Sequence, residues 1–563
     1  MKRSAATCYL LLITLTLLCP GIRSQGLVDG AAGERLQVST DRTLYVAGEK
    51  CFFSAVLFHV PDILGEQFSH ILYCELITPD GKKVASRKYT LENSSAEGCF
   101  IIPEETISGI YFLKFYTRFM RNLPTDQYKY VMLKIVNPFK TEVLPGTDVA
   151  DTVKKAGTMT HTPSGIQTLN ILPVKKSFSP REEIRLSIAG SSRIDSLTRI
   201  CFSVVPESTC DDRSFVLKNS ADSGKNEVYI PETRTLSLSG KLIGRETGKP
   251  VPNAVINLSI IGDKDILVVR TDSSGRFFFA LPDYTGSRDI FLSADDLPGI
   301  KPEVLIDNDF CSKPVNLPSP IFTLNEEEMN AAYKLAVNSR ITAMFREEPK
   351  AGDTVEAEAP VSFYGKPTEV FYMDKYIDLP KFEDYFAETP IAVKLRKIEG
   401  KKHFVFYNTH PEMTIYDPLV LVDWVAVNDM DKILAMSPLE IARIELVSSL
   451  YVKGNIIYGG IISFVSKKNN FAGIDLPSSG TFVNYKFLDD CAEQSPSNPA
   501  SLNMPDSRNT VYWNPEFRLN SGDDTSVSFL APDTPGRYCI LLRELGPAGE
   551  KVLASETILV TGK

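Results

Sequence analysis

Hydrophobic and polar positions alternate in short runs over most of the chain, and turn residues separate the runs. Segments 36–40 and 50–58 read as strands around the turn Tyr45-Val-Ala-Gly48-Glu49. Segments 71–78 and 83–91 flank Pro79-Asp80-Gly81, a strong hairpin signal. Gly109-Ile-Tyr111-Phe-Leu113-Lys-Phe115-Tyr-Thr117 alternates next, and 130–136 closes the set. Many short strands with regular turn signals predict a sandwich or barrel over 33–143. Residues 148–165 are rich in Thr, Gly and Ser and read as a linker. Strands return in 169–206, while 207–226 is polar and irregular. A further β unit covers 236–294, with a turn at Thr247-Gly248-Lys249-Pro250 and a strand at 254–261. A last β unit covers 509–560, after a stretch rich in Ser, Pro and Asn at 477–506 that reads as a linker.

Two segments break the β pattern. Residues 325–345 have helical periodicity. Asn325 is placed to cap and Glu328 to complete a capping box, while Met329, Ala332, Tyr333, Ala336, Val337, Ile341 and Met344 form one apolar stripe. That stripe predicts a helix packed on a neighbouring sheet. In 418–468 a nearly continuous apolar run, 418–427, predicts a strand buried on both faces. Ser437-Pro438-Leu439-Glu440 predicts a helix start. A second strand follows at 443–447. Gly459-Gly460 allows a tight backbone turn before a third strand at 461–466. A short helix is expected near 381–388. This segment reads as a small α/β core.

The chain of 563 residues has room for several domains, and its 43% hydrophobic and 23% charged content is that of globular proteins. Met1-Lys2-Arg3, the apolar stretch 8–18 and the breakers Pro20-Gly21 read as a secretory signal peptide, with cleavage expected after Ser24. Leu18 is not the small residue that lipoprotein signals want before a cysteine, so a lipid anchor at Cys19 is not expected. No later run is long and apolar enough for a transmembrane helix. Loss of residues 1–24 removes three basic residues and no acidic one, taking the net charge from −9 to −12. An acidic chain without basic clusters argues against nucleic acid and against anionic membrane surfaces. Export permits disulfides. Cys51, Cys74 and Cys539, however, sit singly in apolar strands, where cysteine acts as a small buried hydrophobe. Cys201 and Cys210 could close a hairpin. There is no C-x-x-C for a zinc ribbon or thioredoxin-like site.

Several stretches carry family resemblances. STDRTLYVAGEKCFFSA and GIYFLKFYTRFMRN resemble macroglobulin-type domains of Gram-negative envelope proteins, and so does PVKKSFSPREEIRLSIAG. Asn509-Thr-Val-Tyr512-Trp513-Asn-Pro resembles the start of a closing domain of that kind. The 236–294 unit is similar to the carboxypeptidase regulatory-like domain, a prealbumin-like sandwich that implies a binding or spacer module. In 418–468, Leu-Val-Asp, Ser-Pro-x-x-Ile-x-x-Ile-Glu, Tyr-x-x-Gly and Tyr-Gly-Gly-Ile-Ile resemble the plug domain of TonB-dependent outer-membrane receptors. The sequence departs from that family at Trp424 and Ala426, where Gly and Pro usually follow the Asp. A receptor barrel has about 22 strands. At about 9–11 residues each, they need more than twice the chain that follows Lys467, so the plug-like unit is expected without a barrel of its own.

Catalytic motifs are scarce. Cys491-Ala-Glu-Gln494 resembles the thioester motif of trapping macroglobulins but lies in a polar linker, without the helical domain that shields such an ester. Gly244-Arg-Glu-Thr-Gly248-Lys249 is one residue short of a phosphate loop and is followed by Pro250, which predicts a β-turn. His59, His70, His161, His403 and His410 form no H-E-x-x-H and join no G-x-S-x-G elbow. Asp307-Asn-Asp309 is too short for a calcium loop, and Asp523-Asp524 reads as a solvated turn.

The expectation is a mainly β, multidomain protein: macroglobulin-type and prealbumin-like β-sandwiches plus one small α/β plug-like domain. The expected boundaries are a signal peptide at 1–24, a macroglobulin-type sandwich at 33–143, a second such domain at 165–215, a regulatory-like sandwich at 234–305, an amphipathic helix at 320–348, the plug-like domain at 355–474 and a C-terminal macroglobulin-like domain at 505–563. No catalytic, cofactor-binding or metal-ligating residue is assigned, and no cofactor is expected. The expected role is non-catalytic binding or scaffolding in the periplasm or at the outer membrane, beside TonB-dependent transport, with another envelope protein as partner. A protease-interacting macroglobulin relative is one alternative, with bait segments at 207–226 or 478–506. A hydrolase with a loop-built site is the other.

Overall fold

A computed structural model describes residues 33–59, 69–146, 157–161, 169–189, 198–210, 213–217, 228–345 except 296 and 298, 361–489 except 390, 399, 408 and 409, 496, 504–519 and 524–562. The signal peptide, Cys19 and the Cys491–Gln494 motif lie outside the described residues.

The N-terminal sandwich occupies 33–146. Its smaller sheet places Lys50–His59 between Glu34–Thr40 and Ser95–Ile101. Its larger sheet runs Leu44–Val46, Lys129–Val136, Gly109–Tyr116, Ile71–Ile77, Lys83–Thr90. The alternation in Gly109–Tyr116 predicts one wet face, yet every residue of that strand and of Ile71–Ile77 is buried. The cause is a second sandwich lying against the outer face, so that Leu72 and Tyr73 share one core with Leu236, Phe310 and Tyr485.

That second, inserted sandwich pairs Arg276–Ala280, Ser237–Gly244 and Pro302–Ile306 in one sheet. The other runs Asp265–Arg270, Val255–Ile260, Ser287–Ala294, Thr481–Lys486. Its last strand comes from the stretch read as a linker: Thr481–Lys486 pairs antiparallel with Ser287–Ala294 through Phe291↔Phe482 and Ile290↔Val483.

The two segments expected as separate domains at 165–215 and 505–563 share one sandwich. Arg199–Pro206 is hydrogen-bonded between Tyr512–Phe517 and Gly536–Gly546, and Glu183–Ala189 pairs with Thr525–Leu530. Their side chains form one core that includes Phe202, Val204, Ile540 and Leu542. A β-strand pairs through its backbone, so nothing local in 169–206 announces that its partners lie some three hundred residues away. The stretches read as linker and as irregular also meet, as the antiparallel ribbon Gly157–His161 with Arg213–Leu217. Both bait candidates therefore contain strand.

Between Tyr364 and Ile474 lies the α/β unit. Its sheet runs Glu369–Tyr372, Ile441–Val447, Ile461–Ser466, Leu419–Val422, Val425–Ala426. Leu419–Val422 runs parallel to Ile461–Ser466, and the other pairs are antiparallel. Both faces of Leu419–Val422 are buried, as the continuous apolar run predicts. The expected helix at Ser437 is a single tight turn, Pro438–Glu440, with no side-chain cap. The helix forms one step earlier at Met430–Ala435, where Asp429 accepts from the backbone of Asp431 and Lys432. Phe382–Glu388 is helical as expected.

The helix Glu326–Met344 carries the capping box of Asn325 and Glu328. It braces the N-terminal sandwich and the sandwich shared by 169–206 and 504–562. Glu328 pairs with Lys134 at 2.5 Å, Asn338 bonds Asn509 and Thr534 at 3.0 Å each, and Lys334 bonds Pro535 O at 2.9 Å. The packed face is Ala331, Ala332, Leu335 and Asn338, so of the expected stripe only Ala332 is buried. Tyr333 and Met344, 72% and 76% exposed, look away from the body. Small residues and one bonded Asn let this helix approach more closely than the bulky stripe would. Among the described residues no helix is long and apolar enough to cross a membrane.

If 169–206 and 504–562 make one sandwich, ending the chain after residue 535 removes the central strand Gly536–Gly546. Hydrogen exchange is then expected to show Arg199–Pro206 losing its protection, while 33–146 stays protected.

Candidate functional site at the domain junctions

The α/β unit sits on the inserted sandwich through the second face of its sheet. Leu419, Leu421, Trp424, Ala426, Val447, Ile461 and Val465 pack with Ile266 and Val268. The tight turn between Leu419–Val422 and Val425–Ala426 puts Asp423 at φ 45° and Trp424 at φ 64°, both in the left-handed region. Non-glycine residues adopt that region at some cost. Asp423 offsets it by accepting from Ser466 N at 2.7 Å, Ser466 Oγ at 2.6 Å and Phe471 N at 2.8 Å. Trp424 is thereby delivered into the junction, with Lys264 Nζ 5.3 Å from its ring. The departure from the plug family at position 424 thus coincides with a domain contact. Gly454, at φ +59°, brings the hairpin of Tyr451–Lys453 and Ile456–Tyr458 against Val268, where a Cβ would lie 2.1 Å from the carbonyl oxygen. Lys453 adds an ion pair to Asp265 at 3.4 Å.

Beside this contact is a polar cleft of about 110 Å3, lined by Asn257, Ser293 and Asp295 of the sandwich and by Asn428, Asp429 and Lys432 of the α/β unit. Asn257 is buried, donates to Asp295 at 2.8 Å, and leaves its Oδ1 without a partner among the described residues. Asp429 is occupied as a helix cap and Lys432 bonds Asp475 O at 3.1 Å. The lining presents hydroxyl, amide, carboxyl and amine groups, which offer hydrogen bonds to a small polar group.

Two buried ionic clusters hold the other junctions. In the first, Arg42 pairs with Glu49 at 3.0 Å and lies over the Tyr45 ring at 4.5 Å, while Tyr45 donates to Asp41 at 2.6 Å. Thr510 donates to Asp41, and Asn509 to Glu49, across the junction with the shared sandwich. Burial raises the Asp41 carboxyl above its ordinary value, against the pull of Arg42. Burial also disfavours the Arg42 cation, but Glu49 and Asp41 outweigh it and hold the guanidinium charged. These residues belong to the STDRTLYVAGEK and NTVYW stretches, whose spelling therefore records a contact between domains. Around it pack Phe52, Val56, Phe58, Trp513 and Leu545.

The second cluster lies between the N-terminal and inserted sandwiches. Lys114 pairs with Glu75 at 2.9 Å, and Tyr116 donates to the same oxygen at 2.8 Å. Arg118 bonds Ser237 at 2.7 Å and Ser239 at 2.9 Å. Glu232 accepts from Tyr73 and from the backbone of Ser237, and burial raises its carboxyl above the ordinary range. Lys88 meets Asp309 at 2.5 Å, and burial lowers its amine below the ordinary value.

The motifs singled out in the sequence fall outside any shared site. Gly244 to Lys249 is a turn, closed by Gly244 N to Lys249 O at 2.9 Å. Cys201 is a buried thiol donating to Pro515 O, so the Cys201–Cys210 bridge is not made. Cys99 is disulfide-bonded. His403 lies 3.5 Å from Asp417, and His59 is lowered to about 4 by burial. Asp307 and Asp309 bind Arg276 and Lys88 instead of a metal. Among the described residues no group of three or more His, Cys, Asp or Glu is placed to hold a metal ion.

No family model and no curated protein matches the chain. Among solved structures, Escherichia coli alpha-2-macroglobulin activated by porcine elastase is 10% identical, with a TM-score of 0.21, over 94% of this chain and 44% of that one. Salmonella alpha-2-macroglobulin reacted with methylamine is 10% identical, TM-score 0.23, over 94% and 39%. Dimeric latent PorU from Porphyromonas gingivalis is 10% identical, TM-score 0.14, over 51% and 34%. The chain spans about two fifths of the macroglobulins it matches. Overlap this slight carries no functional argument.

Trp424→Ala is expected to destabilise the junction by about 3 kcal/mol, the usual scale for removing a buried aromatic ring. Hydrogen exchange in Asp265–Arg270 should rise while that of the N-terminal sandwich stays unchanged.

Proposed function

We propose that this is a non-catalytic binding or scaffold protein of the bacterial cell envelope, exported by its signal peptide. The observation that carries this reading is the mounting of the α/β unit. One face of its sheet is locked onto the inserted sandwich, while its other surfaces display large apolar side chains: Tyr372, Tyr376 and Ile377 on one stretch, Tyr407, Ile415 and Tyr416 on another. Ile377 is 85% and Ile415 72% exposed. Large exposed apolar residues on a rigid mount suit protein recognition.

The finer reading is association with an outer-membrane transport barrel, and it rests on the plug-like spelling of 418–468. Because Trp424 and its neighbours are already buried against this chain, the unit would meet a barrel through its remaining surfaces and not as a free stopper. The protease-interacting alternative needs a cleavable bait; with Arg213–Leu217 and Thr481–Lys486 paired as strands, cleavage would fall in the rest of the two candidate segments.

Affinity capture from solubilised envelope is expected to recover an outer-membrane barrel protein with the wild-type chain, and not with Ile377→Asp/Ile415→Asp. Capture of no barrel by either chain would sink the transport reading.

A further inference from the structure

Lys88 and Asp309 are set up differently from the other buried ion pairs. Lys88 belongs to Lys83–Thr90 of the N-terminal sandwich, Asp309 follows the strand Pro302–Ile306 of the inserted sandwich, and Tyr485 sits on the returning strand Thr481–Lys486. The three meet at one point. Lys88 Nζ is 2.5 Å from Asp309 Oδ2, 3.0 Å from Tyr485 Oη and 2.8 Å from Lys486 O. The Asp309 carboxyl also faces the Tyr485 hydroxyl and helps to hold it protonated. Side-chain exposure is 2% for Lys88 and 12% for Asp309. The Tyr485 and Phe310 rings lie 4.1 and 5.6 Å from Nζ. Amine, phenol and carboxyl therefore meet, with the phenol oxygen accepting from the amine. Lys114 and Glu75 lack this: Tyr116 bonds Glu75 there, but its oxygen takes the backbone N–H of Cys311.

We propose that Lys88 and Asp309 condense to an isopeptide bond, a covalent staple between the N-terminal and inserted sandwiches. As an ammonium and a carboxylate the pair cannot react. Tyr485 bonds Nζ and faces the carboxylate, so it relays the proton, accepting one from Nζ while giving its own to the carboxylate. One such relay leaves a neutral amine beside a carboxylic acid. The Nζ lone pair attacks Cγ of Asp309, the C–N bond forms, and the C–O bond to the hydroxyl breaks. The hydroxyl leaves as water with a proton from nitrogen. An ammonium and a carboxylate become an amide and water, so charge and atoms balance without an oxidant or cofactor. Three features of the site favour this. The amine and a carboxylate oxygen are held 2.5 Å apart before reaction. Burial lowers the Lys88 amine below its ordinary value, towards the neutral form that reacts. Asp309 is 12% exposed, so its carboxyl reaches solvent where the water formed would leave. The staple would close a loop of 221 residues.

Mass spectrometry of the reduced, full-length exported chain tests this, together with a tryptic map. The expected result is a protein one water lighter than its sequence and a branched peptide joining Lys88 to Asp309. Lys88→Arg, which keeps the charge, should show its full sequence mass. Lys114→Arg should still lack one water. Tyr485→Phe should fold, by circular dichroism, and lose water far more slowly. A wild-type chain of full sequence mass would overturn the proposal and leave an ion pair. Water lost without the branched peptide would overturn it too, and unchanged condensation in Tyr485→Phe would remove the relay.

Discussion

Three returning strands hold this molecule together. Tyr512–Phe517 and Gly536–Gly546 come back to Arg199–Pro206, and Thr481–Lys486 comes back to Ser287–Ala294. Each return closes a sheet around whatever lies between, so the α/β unit is nested in the inserted sandwich and that sandwich in the shared one. Loop closure makes such nesting affordable, because its entropy grows only with the logarithm of loop length. A long insertion adds little beyond a short one once the edges find each other. What must be specified is the register, and buried alternation on both partners does that.

Charge fixes the angles between the bodies. Apolar contact alone is tolerant of sliding, whereas Lys88 with Asp309 and Arg118 with Ser237 and Ser239 are bonded across the junction of the N-terminal and inserted sandwiches in one arrangement only. Buried ion pairs contribute little net stability against an apolar alternative, but a misplaced partner leaves a charge stranded at about 3–5 kcal/mol. Here the stranded charge would lie between domains, so the penalty falls on misdocking.

Much of this was legible. The strands of 33–146 follow from alternation and turn chemistry, the Asn325 cap from its box, and the doubly buried Leu419–Val422 from an unbroken apolar run. The STDRTLYVAGEK stretch stood out in spelling because its polar residues serve a junction. Other features had no local trace. Strand pairing between distant segments leaves no periodicity behind, so one sandwich read as two domains. Thr481–Lys486 was hidden by the Ser, Pro and Asn around it. The helix Glu326–Met344 showed its bulky stripe, yet small residues on the opposite face made the contact. Lys88, Asp309 and Tyr485 come from three segments, and each alone reads as an ordinary polar strand or loop residue.

The nested topology also orders events in time. During synthesis from the N-terminus, 33–146 has all its strands in hand early and can close first. Arg199–Pro206, an apolar strand, emerges long before the partners that flank it. The α/β unit completes before Thr481–Lys486 arrives, and the shared sandwich closes last. Maturation therefore proceeds from the innermost insertion outward, and the waiting strand edges are where a chaperone would be needed.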